Sequence, residues 1–235
     1  MEALVGTGGW DYFSTEDRDK LRAYSKLFSF VEVNSTFYNM PGLGAVRSWR
    51  RRVPRGFVFS VKCNRAATHE LGLKPAEETF RVLEGMLAVC RLLGSQMLVL
   101  QTPPDLGVDG EKVMEVSSIL KSLKEERVGV FWEARSLRGD ESRSRVEASM
   151  LREGLTPVVD LSVDEPVKGS EVVYSRLFSH GALEYGEELI ELIDRRASGS
   201  GAERAVLTFH GAHMYLDAAR YIERKRRDEG SNTNF

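Results

Sequence analysis

Eight short apolar runs, nearly all followed by a longer segment of helical period, recur along this chain, and no other feature restricts its fold as strongly. The strand-like runs lie at residues 4–7, 30–34, 57–63, 97–101, 128–132, 157–161, 172–177 and 205–210. Helical periodicity marks residues 14–28, 75–93, 109–126, 141–153, 184–196 and 212–227, with a shorter stretch at 45–52. Only the sixth connection, residues 162–170, is too short for a full helix. Strands joined by helical crossovers run parallel. Eight units of about 30 residues close into a barrel more readily than they form an open sheet, since such barrels need roughly 200–250 residues. The expectation is a single parallel (β/α)8 barrel of the TIM type over residues 1–227, followed by a frayed polar tail at 228–235. The competing doubly wound sheet would carry a G-x-G-x-x-G turn after its first strand. Gly6-Thr7-Gly8-Gly9-Trp10 does not provide one, because Asp11 and Tyr12 follow where a helix should open.

Composition narrows the function classes. A net charge of -2 exerts no global pull toward nucleic acid or anionic membrane. Two unpaired cysteines, Cys63 and Cys90, exclude a disulfide framework and fit a reducing compartment. No basic-then-apolar leader is visible and no apolar run reaches the roughly 18 residues of a membrane span, so the expected location is the cytoplasm.

Side chains alternate across a strand, so one parity faces the barrel axis. On that parity lie Glu32, Asn34 and Thr36 in the second strand, Ser60, Lys62 and Asn64 on the third, and Phe131, Glu133 and Arg135 on the fifth. Gln101, Asp160, Arg176 and His210 end four others. Seven strands thus turn polar at the end where barrel enzymes build their sites. Glu32, Glu133 and Asp160 face Lys62, Arg135 and Arg176. If some carboxylates orient the arginines, the remaining positive charge suits a phosphate or carboxylate.

The expected ligand is therefore a small anionic or polyhydroxylated molecule. Glu32 or Glu133 would act as general acid or base, and His69 or His210 as proton shuttle. Lys62, Arg135 and Arg176 would hold negative charge, with Asn34, Asn64, Gln101 and Asp160 completing the polar lining. Trp10 and Tyr38 could stack on a ring, whereas Trp132 faces the helices by parity. Hydrolase, isomerase and lyase chemistry all remain open. No redox cofactor is expected, and no metal, since H-x-H and H-E-x-x-H spacings are missing. On this reading Glu32→Gln or Arg176→Ala leaves folding intact and weakens binding of an anion. Two alternatives stand beside it. Arginine clusters at residues 47–55 and 220–227 would track a nucleic-acid backbone, or the mouth would receive a protein partner without catalysis. His180 and His213 lie near the mouth in sequence.

The motifs Gly6-Thr7-Gly8-Gly9-Trp10-Asp11-Tyr12 and Glu32-Val33-Asn34-Ser35-Thr36-Phe37-Tyr38 resemble those of the YecE-like family, domain of unknown function 72. The similarity continues through Phe59-Ser60-Val61-Lys62, Thr68-His69, Gln101-Thr102-Pro103-Pro104, Trp132-Glu133-Ala134-Arg135 and Tyr174-Ser175-Arg176-Leu177. It implies an α/β barrel and names no activity. Two departures stand out. The family usually continues its E-x-R motif with a histidine and a serine-tryptophan pair, where this chain has Ser136-Leu137-Arg138-Gly139. It also tends to carry an asparagine pair where this chain has Phe209-His210-Gly211.

Overall fold

The computed structural model describes residues 1–125, 127–178 and 184–231. All eight expected strands form: β1 (Glu2–Thr7), β2 (Phe30–Val33), β3 (Val58–Lys62), β4 (Met97–Thr102), β5 (Gly129–Ala134), β6 (Leu155–Val159), β7 (Val172–Leu177) and β8 (Arg204–Phe209). They pair in parallel in chain order. Closure comes from β8 against β1, in register from Glu2↔Arg204 to Thr7↔Phe209. The chain is a closed (β/α)8 barrel, as the alternation predicts.

The described helices are α1 (Lys20–Tyr24), α2 (Ser35–Tyr38), α3 (Leu43–Arg51), α4 (Glu77–Leu93), α5 (Gly110–Ser122), α6 (Arg143–Arg152), α7 (Glu187–Gly199) and α8 (Met214–Ser231). Local chemistry sets several of their ends. Glu77 and Glu78 favour the positive end of α4, and Gly94 at φ 66° stops it in the left-handed conformation. The Asp109 carboxylate accepts from the Lys112 amide and so starts α5.

Differences from expectation have local causes too. Helix α1 covers only part of residues 14–28. Thr15 Oγ1 accepts from the Asp17 amide and Asp17 from the Asp19 amide, at 3.1 and 3.0 Å, giving that backbone an alternative to helix. The sixth connection indeed contains no helix. Helix α8 runs on through Ser231, so residues 228–231 are helical rather than frayed, and an Arg224–Asp228 pair one turn apart at 3.7 Å supports the extension. Residues 232–235 lie outside the described residues. No described helix is long and apolar enough to cross a membrane.

Alternation along the strands produces two apolar layers. Val31, Val33, Phe59, Val61, Leu98, Leu100, Trp132 and Leu207 face outward and pack in the larger cluster with the helices. Phe30, Met97, Val99, Phe131, Val158, Tyr174 and Val206 fill the barrel interior, with Leu4, Val58 and Val172 against them. The same inward parity then switches chemistry toward the C-terminal ends. Phe30 leads to Glu32, Val58 through Ser60 to Lys62, Val99 to Gln101, Phe131 to Glu133 and Tyr174 to Arg176. The apolar plug supports a polar floor above it.

Candidate functional site

Arg176 organises that floor. It is 2% exposed and lies between two carboxylates contributed by β2 and β5. Its Nε donates to Glu32 Oε1 at 3.2 Å, and its Nη2 lies 3.0 Å from the same oxygen as an ion pair. Its Nη1 donates to Gln101 Oε1 at 2.8 Å and also to Glu133 Oε2. Burial works against the guanidinium charge, but the two carboxylates outweigh it and push its pKa up. Burial likewise works to raise the Glu133 pKa, and Arg176, Arg135 and Arg138 together pull it below its usual value. Buried charges persist only when paired in this manner.

The network reaches further than the sequence-based candidates. The Tyr174 hydroxyl donates to Glu32 Oε2 at 2.8 Å and lies 2.7 Å from Ser60 Oγ. A phenol has one proton, and the carboxylate claims it, so Ser60 must donate to Tyr174. Burial, and then the neighbouring Glu32 charge, raise the tyrosine pKa well above its ordinary value. Tyr174 was legible by parity, two residues before Arg176 on the same inward face, but its aromatic character marks it equally well as core. Arg138 joins from beyond β5, its Nη2 donating to Glu133 Oε1 at 2.9 Å. Arg135 Nε donates to the same oxygen at 2.9 Å and its Nη2 to Gln101 Oε1 at 3.2 Å. Both carboxylates are therefore held by hydrogen-bond partners on each oxygen.

Lys62, at the end of β3, is different. The residue is 8% exposed, and among the described residues its ammonium makes neither a hydrogen bond nor an ion pair. It lies 3.9 Å above the Phe37 ring centroid. Burial, with the Arg176 charge next, lowers its pKa to about 7, against the smaller opposing pull of Glu32 and Glu133. His69 also contacts this aromatic group, edge-on to Phe37 at 5.0 Å, with Nδ1 2.8 Å from Thr68 Oγ1. Burial and then Lys62 lower its pKa.

His210 stands at the end of β8, 7% exposed and stacked on Phe178 at 4.6 Å. Its Nε2 is 2.9 Å from Thr208 Oγ1, whose own proton goes to the Ser175 carbonyl, and 3.7 Å from Glu32 Oε1. Those neighbours assign the proton to Nε2 and leave Nδ1 as an acceptor. Burial, reinforced by Arg176, Lys62 and Arg135, holds its pKa well below the ordinary value, so the ring is neutral. The Gly8 backbone makes room for it. A Cβ there would fall 2.4 Å from His210 Nδ1 and 2.5 Å from Asn34 Nδ2. Gly8→Ala is expected to displace the histidine and cost about 1–3 kcal/mol. Urea unfolding of the variant checks this, and unchanged stability would mean that the ring relocates freely.

The remaining candidates divide. Asn34 Nδ2 donates to the Gly8 carbonyl at 2.8 Å, while its buried Oδ1 has no hydrogen-bond partner among the described residues. Asn64 instead holds the backbone together, bonding the Thr36 carbonyl at 2.9 Å and the Ala66 amide at 3.0 Å. Thr36 does not extend the second strand, which ends at Val33; its hydroxyl bridges the Val33 and Lys62 carbonyls. Asp160 caps the turn after β6, accepting from the Ser162 amide and hydroxyl and from the Phe178 amide. Trp10 does not face the mouth as a stacking platform: it is 7% exposed in the outer cluster, edge-on to Trp49 at 5.4 Å. Tyr38 is exposed and edge-on to Phe37. His213 is exposed before α8, and His180 lies outside the described residues. Among the described residues, no three His, Cys, Asp or Glu side chains converge on one point.

The second arginine cluster is largely neutralised where it stands. Arg220 pairs with Glu184 at 2.6 Å, Lys225 with Asp194 at 3.0 Å, and Arg224 and Arg227 with Glu191 and Glu187 at longer range. In the first cluster, Arg50 donates to the Phe57 carbonyl and Arg52 pairs with Asp19. The mouth has the opposite character. Lys62, Arg135, Arg138 and Arg176 outnumber Glu32 and Glu133 there. The carboxylate side chains are 0% and 6% exposed, while those of Arg135 and Arg138 are 30% and 45% exposed. Negative charge is sunk into the floor and positive charge meets solvent.

Comparison with known proteins gives one family and several similar barrels. The profile of the family described as "Protein of unknown function DUF72" matches residues 4–232. A DUF72 family protein from Thermotoga maritima MSB8 is 18% identical with a TM-score of 0.74, the match covering 96% of this chain and 100% of that one. Another from Enterococcus faecalis V583 is 15% identical with a TM-score of 0.69, covering 96% and 98%. A D-psicose 3-epimerase solved in the presence of D-fructose is 12% identical with a TM-score of 0.61, covering 93% and 89%. No curated protein matches.

Proposed function

Given that the chain belongs to the DUF72 family, whose description names no activity, we propose that its barrel mouth binds a small molecule carrying a phosphate or carboxylate, with hydroxyls beside it. The observation that carries this reading is the vertical separation of charge. Two carboxylates lie in the floor, while Arg135, Arg138 and Lys62, unpaired among the described residues, present positive charge above them. Arginine forks held by buried carboxylates are pre-organised for a planar or tetrahedral anion. Gln101 and Glu133 fix the Arg135 guanidinium, so a ligand need not order it.

The roles follow from the contacts. Arg135 and Arg138 hold the anionic group and Lys62 adds charge while protonated. Asn34 Oδ1 and His210 Nδ1 accept from ligand hydroxyls. Glu32, Arg176, Tyr174 and Ser60 position the rest. That a similarly shaped epimerase was solved with a ketose fits the polyhydroxylated part of this class.

Calorimetric titration with inorganic phosphate, glucose 6-phosphate and glucose tests the reading. The phosphorylated compounds should bind and glucose should not. Arg135→Ala should weaken binding by roughly tenfold, the equivalent of one charge-assisted contact. Affinity should also fall as pH rises through about 7, where Lys62 loses its charge. Absence of binding by every anion, or equal binding of glucose, rejects the reading.

A further inference from the structure

An amine among the most buried cations of the site, with no acceptor of its own among the described residues, has a use beyond holding charge. We propose that Lys62 is a nucleophile that forms an imine with a carbonyl compound bearing a carboxylate or phosphate. This rests on the anion-binding reading above and names the chemistry of the same site.

Three features of the geometry support it. First, Lys62 lies on the inward face of β3, over the Ser60 layer, at the end of the barrel where ligands of such folds meet side chains. Second, among the described residues no hydrogen-bond acceptor or carboxylate pairs with its nitrogen. The two carboxylates that would otherwise pair with it are held by Arg176, Arg135, Arg138 and Tyr174. The ring of Phe37 below it offers a π face rather than a hydrogen-bond acceptor. Third, its surroundings favour release of its proton. Burial acts most strongly, Arg176 from β7 and Arg135 after β5 add to it, and Glu32 from β2 and Glu133 from β5 oppose it without restoring the ordinary value, while His69 beside Phe37 has its own pKa lowered. Desolvation next to other cations is a recognised way to make a lysine amine reactive near neutrality.

The step balances without a further reactant. The neutral Nζ lone pair attacks the carbonyl carbon, forming the C–N bond and moving the carbonyl π pair to oxygen. Proton transfer gives a carbinolamine. The nitrogen lone pair then closes the C=N bond as the oxygen leaves with the two amine protons as water. Arg135 and Arg138 would hold the anionic end of the same molecule, so the carbonyl is presented to the amine rather than captured at random.

Glyoxylate, which joins an aldehyde to a carboxylate, is the probe. The intact protein is incubated with glyoxylate and cyanoborohydride and the modified lysines are mapped by peptide mass spectrometry. Lys62 should be modified at least roughly tenfold faster than the exposed Lys26 and Lys121, whose side chains are 65% and 67% exposed. Its rate should rise as pH passes about 7 and level off, while the surface lysines continue to accelerate toward higher pH. Excess phosphate should slow Lys62 alone. Glycolate, the unreactive analogue, is titrated in parallel. Glycolate binding without modification of Lys62 overturns the imine and leaves the anion site standing. Neither binding nor modification removes both. Modification of Lys62 at the pace of the surface lysines also overturns the proposal.

Discussion

Replacing Arg176 by alanine is expected to cost about 3–5 kcal/mol at neutral pH, enough to threaten folding outright. The reason is what remains rather than what is lost. Glu32, fully buried, and Glu133, nearly so, would keep their charges in an apolar environment with Arg176 gone from between them. This departs from the expectation that Arg176→Ala leaves folding intact. The pH dependence identifies the cause. In the native protein the Glu133 pKa is held down, so its contribution to stability is full above the unfolded carboxylate value and disappears as pH falls through the folded one. Without Arg176 the largest charge opposing burial at Glu133 is gone and only Arg135 and Arg138 still hold its pKa down, so the variant should lose less stability than the native protein as pH falls. Urea midpoints across an acid-to-neutral series measure this. A variant that loses stability in parallel with the native protein on acidification would show that the carboxylates are not the source. Arg176→Lys, which keeps charge but not the fork, should recover only part of the loss.

Replacing Lys62 by methionine should have the opposite sign. The unfolded chain keeps this lysine protonated up to about 10.5, whereas the folded chain releases the proton near 7. Between those values the unfolded state binds more protons, so native stability rises with pH there. At and below pH 7 the folded protein bears a charge whose burial costs on the order of 3–5 kcal/mol. Lys62→Met fills similar space without that charge, keeps an apolar contact with Phe37, and should be more stable than the native protein at pH 6–7. The difference should shrink toward pH 10, and anion binding should be lost throughout. Destabilising residues retained at binding sites are a common trade of stability for function. Thermal unfolding of both proteins across this range is the measurement. A less stable Lys62→Met protein would mean that the ammonium has a stabilising partner after all.

Much of the site was visible in the order of residues because strand parity is a local rule. Glu32, Lys62, Gln101, Glu133 and Arg176 could each be placed on the inward face by counting in twos from an apolar neighbour, and the structure puts them there. The same counting failed where a strand ended early. Thr36 follows the second strand by parity, yet the chain turns into α2 at Ser35 and its hydroxyl bridges backbone carbonyls. Asn64 and Asp160 have the residue types of a binding site, and they serve the backbone instead, because turns beyond the strands leave amides and carbonyls that need partners. Trp10 was misread for another reason. Its exposure depends on Trp49, 39 positions further along, which no periodic pattern connects to it.

The alternation of strand and helix by itself determined the parallel barrel, its single closed sheet and the polar end at which a ligand would enter. Those properties follow from periodicity, handed crossovers and the two-residue repeat of side chains, all of them local. Which charges are satisfied was decided only by the tertiary structure. Sequence placed three cations and three carboxylates at one mouth and made them look equivalent. Bringing β2, β5 and β7 together around Arg176 consumes Glu32 and Glu133, turns Asp160 toward the backbone, and leaves Lys62 over a phenyl ring without a counter-ion among the described residues. Pairing falls off within a few ångströms, and neighbours at that range come from strands separated by tens to more than a hundred residues.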